Sequence, residues 1–210
     1  MVDNFIGINR LRAKRLKRIW THGSFAFYSW RKKKYSPPSP YRIKKIVLNS
    51  NAFPNAPWIE TGTYLGETTK FLSKRFPKIV SLEPSLSHFK YVSKRFKKNT
   101  KIQIINKTSE EGFEETINNF SGALNIYLDG HASGDGTFTG INRTPIIHEL
   151  SVIEKYLFKF DNIFIAIDDV RVFGSVDNVY PSNFYLVNWC KKNNLTWKIE
   201  HDIFLAQKIL

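Results

Sequence analysis

Glu60-Thr61-Gly62-Thr63-Tyr64-Leu65-Gly66-Glu67-Thr68-Thr69 is the stretch that decides how this 210-residue chain is read. An apolar run beginning at Trp58 enters it as a strand, two glycines turn it, and residues of helical spacing leave it. A strand that turns at once into a helix opens a parallel crossover unit, and ligands of open α/β sheets bind at such turns, outside the carboxyl ends of the strands. Gly62 permits close backbone approach to a ligand and Gly66 permits tight packing at the helix start; plain turn glycines would look the same. The stretch is neither a dinucleotide G-x-G-x-x-G nor a phosphate-binding loop, since the Gly-Lys-Ser/Thr ending is missing.

Working outward, the alternation continues to the end of the chain. Strands are expected at residues 58–61, 79–83, 102–106, 124–129 and 163–168, and helices at 67–75, 87–98, 112–119, 144–160 and 182–192. Steady strand-helix succession predicts a doubly wound α/β fold, a mainly parallel sheet covered on both faces. Two further strands, 196–200 and 203–207, are separated only by a short connection around His201-Asp202, so they are expected to close a seven-stranded sheet as an antiparallel hairpin.

Charge divides the chain. Residues 1–45 hold thirteen Lys or Arg against one acid, Asp3, whereas residues 46–210 hold nineteen basic and seventeen acidic residues. The first segment is therefore expected to be a basic arm with a proline-rich linker at Ser36-Pro37-Pro38-Ser39-Pro40, followed by one domain over 46–210. Ile8, Leu11, Leu16 and Ile19 can share one face of a basic amphipathic helix, which suits an anionic membrane surface; a solvated or oligomer-contacting arm, or a grip on nucleic acid through Trp20, Phe25, Phe27, Tyr28 and Trp30, are the other readings. The single cysteine, Cys190, excludes an intrachain disulfide and a multi-cysteine zinc site. No apolar run reaches the roughly 20 residues that span a bilayer, and no signal peptide is legible, so a cytoplasmic protein is expected, peripheral at the inner membrane face if the arm binds lipid.

Polar residues gather at the expected strand ends. Glu83 ends the second strand, where a carboxylate can accept both hydroxyls of an adenosine ribose or serve only as an acid at a helix start. Asn106-Lys107-Thr108-Ser109-Glu110 follows the third strand and offers either an adenine-facing edge or a helix cap. Asp129-Gly130-His131 follows the fourth strand and Asp168-Asp169 the fifth; these strands should be neighbours, so three carboxylates converge. Converging carboxylates repel unless something positive shares the site, and a hard divalent cation, Mg²⁺, is the simplest answer. His131 can act as general base, or simply bond to the loop backbone. Residues 132–140 are glycine-rich and read as a mobile lid over the substrate. Arg143, His148 and Glu149 are expected on a helix surface, and Arg171 and Phe173 either line an acceptor pocket or pack within a loop.

In order and spacing, the Glu60–Gly66 stretch, Glu83, residues 106–110 and Leu128-Asp129-Gly130-His131 resemble class I S-adenosylmethionine-dependent methyltransferases over residues 58–208, and most closely the macrocin O-methyltransferase-like group. The resemblance implies that Glu60, the Gly62 to Gly66 backbone with Thr63 and Tyr64, and Thr68 hold the methionine portion of S-adenosylmethionine. It places Glu83 at the ribose, Ser109 near the adenine and Asp129 at the donor, and it makes Asp129, Asp168 and Asp169 ligands of Mg²⁺. The chain departs from the group in having Thr63-Tyr64-Leu65 at the loop centre and His131 where a second Asp is usual. The implied activity is O-methylation of a sugar or related small polar acceptor, with His131 and Asp129 in catalysis. An RNA methyltransferase using the basic arm and a non-catalytic binding protein on the same fold are the alternatives.

Overall fold

The computed structural model describes residues 9–17, 24–129, 144–174 and 180–209. Helices α1 (residues 9–17), α2 (Ser24–Lys32) and α3 (Tyr41–Asn51) precede the first strand. Strands and helices then alternate as β1 (Trp58–Thr61), α4 (Glu67–Ser73), β2 (Ile79–Leu82), α5 (Leu86–Phe96), β3 (Ile102–Ile105), α6 (Ser109–Asn118), β4 (Gly122–Leu128), α7 (Ile146–Tyr156), β5 (Phe160–Ile167) and α8 (Asn183–Lys192). Strands β6 (Thr196–Glu200) and β7 (Ile203–Lys208) end the chain. The expected lid and His131 lie outside the described residues.

The seven strands run in the order β3-β2-β1-β4-β5-β7-β6. The first five are parallel, and β7 enters antiparallel between β5 and β6, as the expected hairpin requires. Its turn is made by His201 and Asp202, both at positive φ (49° and 73°). Every residue of β1 and β2 is buried, as in strands covered on both faces. From β1 the chain builds outward through β2 and β3, then returns to place β4 on the other side of β1. That reversal leaves a crevice beyond the carboxyl ends of β1 and β4.

One face of the sheet carries α3 and α4, whose Val47, Leu48 and Leu72 pack with Trp58, Tyr127, Phe164 and Ala166. The other carries α6, α7 and α8, with Phe113, Leu150, Ile153, Leu186 and Trp189 on Ile126, Ile163 and Ile165. Register pairs Glu60 with Tyr127 and Tyr127 with Ala166, so all three side chains point to the α3 and α4 face. Helix α6 begins at Ser109, three residues before the expected start, because Thr108 and Glu111 form a reciprocal capping box.

Helix α3 was not expected at all, and it crosses the anticipated boundary at residue 45. Pro40, at φ −59°, leads into it, and Val47 and Leu48 are fully buried in the core. The residues before it also dock. Leu11 of α1 packs against Leu65, Tyr91, Val92 and Phe96, and Trp30 of α2 is buried edge-on to His201 at 5.3 Å. Ser39 Oγ donates to the His201 carbonyl at 2.8 Å. Among the described residues, no helix is long and apolar enough to cross a membrane.

The near-neutral total of the sheet region conceals a division along it. Residues 58–107, which form β1 to β3 with α4 and α5, hold eleven Lys or Arg against three acids, a net +8. Residues 108–210 hold eight against fourteen, a net −6. Helix α6, which carries four of those fourteen acids, packs over β1 and β2, and α2, with Arg31 and Lys32, docks at the turn between β6 and β7, so the two ends differ in degree and the end built from β1 to β3, on which α1 also docks, is the more basic.

Candidate active site

The glycine turn is folded across the tip of β2. Gly62 N–H and Thr63 N–H both donate to the Leu82 carbonyl (3.0 and 3.2 Å), and Tyr64 N–H donates to Glu83 Oε2 at 2.6 Å. Gly62, Tyr64 and Gly66 take positive φ of 87°, 49° and 72°. At Gly66 a methyl group would stand 2.6 Å from the Phe96 ring, so the close packing expected of this glycine is that of the turn against α5. Thr63 Oγ1 is buried 2.6 Å from Ser81 Oγ, and Thr68 Oγ1 accepts from Tyr41 O–H at 3.1 Å. Helix α1 lies against the same turn, with Lys14 Nζ 5.2 Å from the Tyr64 ring centroid and Arg15 paired with Glu67. Tyr64 also neighbours the His88 ring of α5 at 5.0 Å.

Two carboxylates sit beneath and beside this turn. Glu60 is 1 % exposed, and its Oε2 accepts from Thr69 Oγ1 (2.6 Å) and Ser81 Oγ (2.7 Å), which ties β1 to α4 and β2. Burial pushes its pKa up to about 8 against the pull of those two hydroxyls, and the negative charges of Asp129 and Glu83 push the same way. Glu83 accepts from Ser85 N–H (2.9 Å) as well as from Tyr64, and burial raises it to about 7 in spite of these donors. A carboxylate has about four acceptor positions, so both backbone bonds leave room for hydroxyl donors. Thr61 Oγ1, at the tip of β1, is buried without a hydrogen bond. An acidic crevice edge with unspent acceptors fits a donor that carries a positive sulfonium and a ribose diol.

At the tips of β4 and β5 the expected convergence takes a form the sequence did not announce. Lys44 of α3 reaches in and places Nζ 2.6 Å from Asp168 Oδ2 and 2.9 Å from Asp169 Oδ1. Tyr127 O–H donates to the same Asp168 Oδ2 at 2.6 Å, and Asp169 N–H to Asp168 Oδ1 at 2.8 Å. Burial opposes a charged Lys44, but Asp168, Asp129 and Asp169 outweigh it and hold the ammonium above its ordinary pKa. Arg171 joins Asp169 (2.6 Å) to Asp202, so its role is an ion pair across the loop. Asp169 itself takes φ 58°. Among the described residues no group of three or more His, Cys, Asp or Glu side chains is arranged to hold a metal. The expected Mg²⁺ therefore does not fit the arrangement present, because cationic side chains already neutralise Asp168 and Asp169.

A small crevice opens on the α7 side of these tips, lined by Leu128, Ile167, Asp168, Glu149, Phe173 and Tyr180 among others. Phe173 thus does line a pocket, packed against the Tyr180 ring at 5.3 Å. Burial, then the charge of Asp169, raises the Tyr180 phenol to about 12, so it is a hydroxyl donor at neutral pH. Glu149, expected on a helix surface, is 1 % exposed and accepts from Ser109 Oγ at 2.7 Å. Ser109 is consequently bound to α7, and its hydroxyl hydrogen is spent there. Sequence reasoning missed Lys44, Tyr127 and Tyr180; only Tyr127 carried a signal, a phenol within a buried strand that must find a partner.

No protein-family model matches the chain, and no curated protein matches it in sequence. Solved structures do match. An rRNA methylase from Streptococcus thermophilus superposes with a TM-score of 0.50 at 16 % identity, covering 83 % of this chain and 99 % of that one. A putative methyltransferase from Streptococcus mutans in complex with SAH gives 0.50 at 16 %, covering 82 % and 98 %. At such identity the likeness concerns the fold alone, the seven-stranded α/β sheet that these methyltransferases share with this chain.

Proposed function

We propose that this chain methylates a hydroxyl of a sugar or related small polar acceptor, with S-adenosylmethionine as donor. The observation that carries the reading is the pairing of an acidic crevice edge at Glu60, Glu83 and Asp129 with a polar crevice at the β4 and β5 tips. S-adenosylmethionine supplies an electrophilic methyl group on a sulfonium. Glu83 would accept from the ribose hydroxyls, and the negative charge of Asp129 and of ionised Glu83 would favour the cation. Glu60, Thr63 and Thr69 brace the turn from below, while Thr68 sits under Tyr41.

The acceptor would enter from the α7 side, where Tyr180 and Glu149 line the crevice and Phe173 gives it an apolar wall. His131, two residues beyond Asp129, is the proposed acceptor of the hydroxyl proton. Rate enhancement then rests on alignment of donor and acceptor and on the fixed charges around them. An RNA substrate draws support from the net +8 of residues 58–107, but Asp168 and Glu149 line the crevice and weigh against a phosphate backbone there.

Calorimetry with S-adenosylmethionine and S-adenosylhomocysteine tests the donor half directly. Glu83→Ala should weaken binding by roughly 1 to 3 kcal/mol through loss of charge-assisted hydrogen bonds. Because ribose hydroxyls need the ionised acid, affinity in the wild type should fall as pH drops below about 7, by at most about tenfold per pH unit. No binding of either ligand to folded protein would end the proposal.

We also propose that the basic N-terminal segment holds the enzyme at an anionic membrane surface. Leu11 faces the domain while Arg10, Arg12 and Lys17 stay exposed, so the attraction would be electrostatic more than insertive. Flotation with anionic liposomes should succeed at low salt and fail at high salt; flotation unaffected by salt, or none at all, would count against it.

A further inference from the structure

The lysine at the β4 and β5 tips is placed by the body of α3. Residues 44, 47 and 48 share one helix face, and with Val47 and Leu48 fully buried, position 44 is turned toward the sheet. The Lys44 side chain is 15 % exposed and those of Asp168 and Asp169 are 3 % and 14 % exposed, so the cluster is mostly sheltered from water. Asp168 is satisfied on both oxygens, by Lys44 and Tyr127 on Oδ2 and by Asp169 N–H on Oδ1. Asp169 Oδ1 is shared between Lys44 and Arg171. A Mg²⁺ ion demands near-ideal octahedral oxygen ligands at about 2.0–2.1 Å, and here two of the expected ligands, Asp168 and Asp169, are already paired with cationic side chains.

We propose that Lys44 is the permanent cation of this site, a positioning residue that holds Asp168 and Asp169 together in place of a divalent metal. The inference rests on reading these tips as the acceptor end of a methyltransferase. It narrows the acceptor as well. An ammonium donates hydrogen bonds but cannot draw two oxygens into a coordination shell, so the acceptor needs no chelating pair of hydroxyls.

The test is Mn²⁺ uptake, followed by the electron paramagnetic resonance of the free ion, with the full chain. Wild type should leave Mn²⁺ free at millimolar concentration, whereas Lys44→Ala should bind one ion at least tenfold more tightly. Adding Asp168→Asn to Lys44→Ala should remove that ion. Lys44→Met, which keeps the aliphatic stem, serves if the alanine variant does not fold. Tight uptake by wild type that is lost on Asp168→Asn would overturn the proposal, as would Lys44 variants that bind no better than wild type. The readout needs no methyl transfer, so a chain that binds no S-adenosylmethionine can still pass or fail it.

Discussion

Replacing Asp168 by alanine is expected to cost about 3 to 5 kcal/mol of folding stability, the largest single-residue effect outside the hydrophobic core. The side chain is almost wholly buried and serves three donors at once: Lys44 Nζ, Tyr127 O–H and the Asp169 N–H. Its removal leaves a buried ammonium with one remaining carboxylate partner, and a buried phenol and amide with none of their present acceptors. The loss is that of an uncompensated charge, so it should shrink when the lysine is removed too. Urea unfolding of Asp168→Ala, Lys44→Met and the double variant measures the coupling. Additive losses, or a loss below about 1 kcal/mol in the single aspartate variant, would show that the cluster contributes little.

Glu60→Gln is expected to stabilise the protein at pH 8 to 9 and to do little near pH 4.5. In the folded chain burial raises the Glu60 carboxyl to about 8, above its ordinary value of 4.5. A group raised in this way contributes stability that is fully present below its unfolded pKa and lost as pH rises through the folded one. Wild-type stability should therefore decline across pH 4.5 to 8, at a rate of at most roughly 1.4 kcal/mol per pH unit from this residue. Glutamine retains an oxygen for Thr69 and Ser81 but cannot ionise, so the variant lacks that slope. Melting temperatures from pH 4.5 to 9 decide it, and a difference between the two proteins that does not grow with pH would contradict the assignment.

The sheet was legible because its signals are local. Trp58 to Thr61, Ile79 to Leu82 and the pair around His201-Asp202 each announce a strand or hairpin within a few residues, and the structure places them so. Helix α3 was hidden by its own composition. Tyr41-Arg42-Ile43-Lys44-Lys45 continues a run of cations after three prolines, and a count of charge treats a lysine bound in a cluster and a lysine in water alike. Glu149 was misread for the same reason: a glutamate on a helix is normally solvated, and only the approach of Ser109 from α6 shows that it is not. The metal expectation shared this blind spot. Converging carboxylates call for a positive charge, and the lysine paired with Asp168 and Asp169 lies more than a hundred residues earlier in the chain.

The lopsided charge of the sheet makes the molecule an electric dipole as well as a cation. Near a polyanion the end built from β1 to β3, with α1 docked on it, is drawn more strongly than the end built from β4 to β7, and the inequality exerts a torque. Encounters are thus aligned before contact, with the crevice beside Asp168 and Glu149 rotated toward open solution. Salt at 0.1 M, with a screening length of about 10 Å, confines that steering to the last approach.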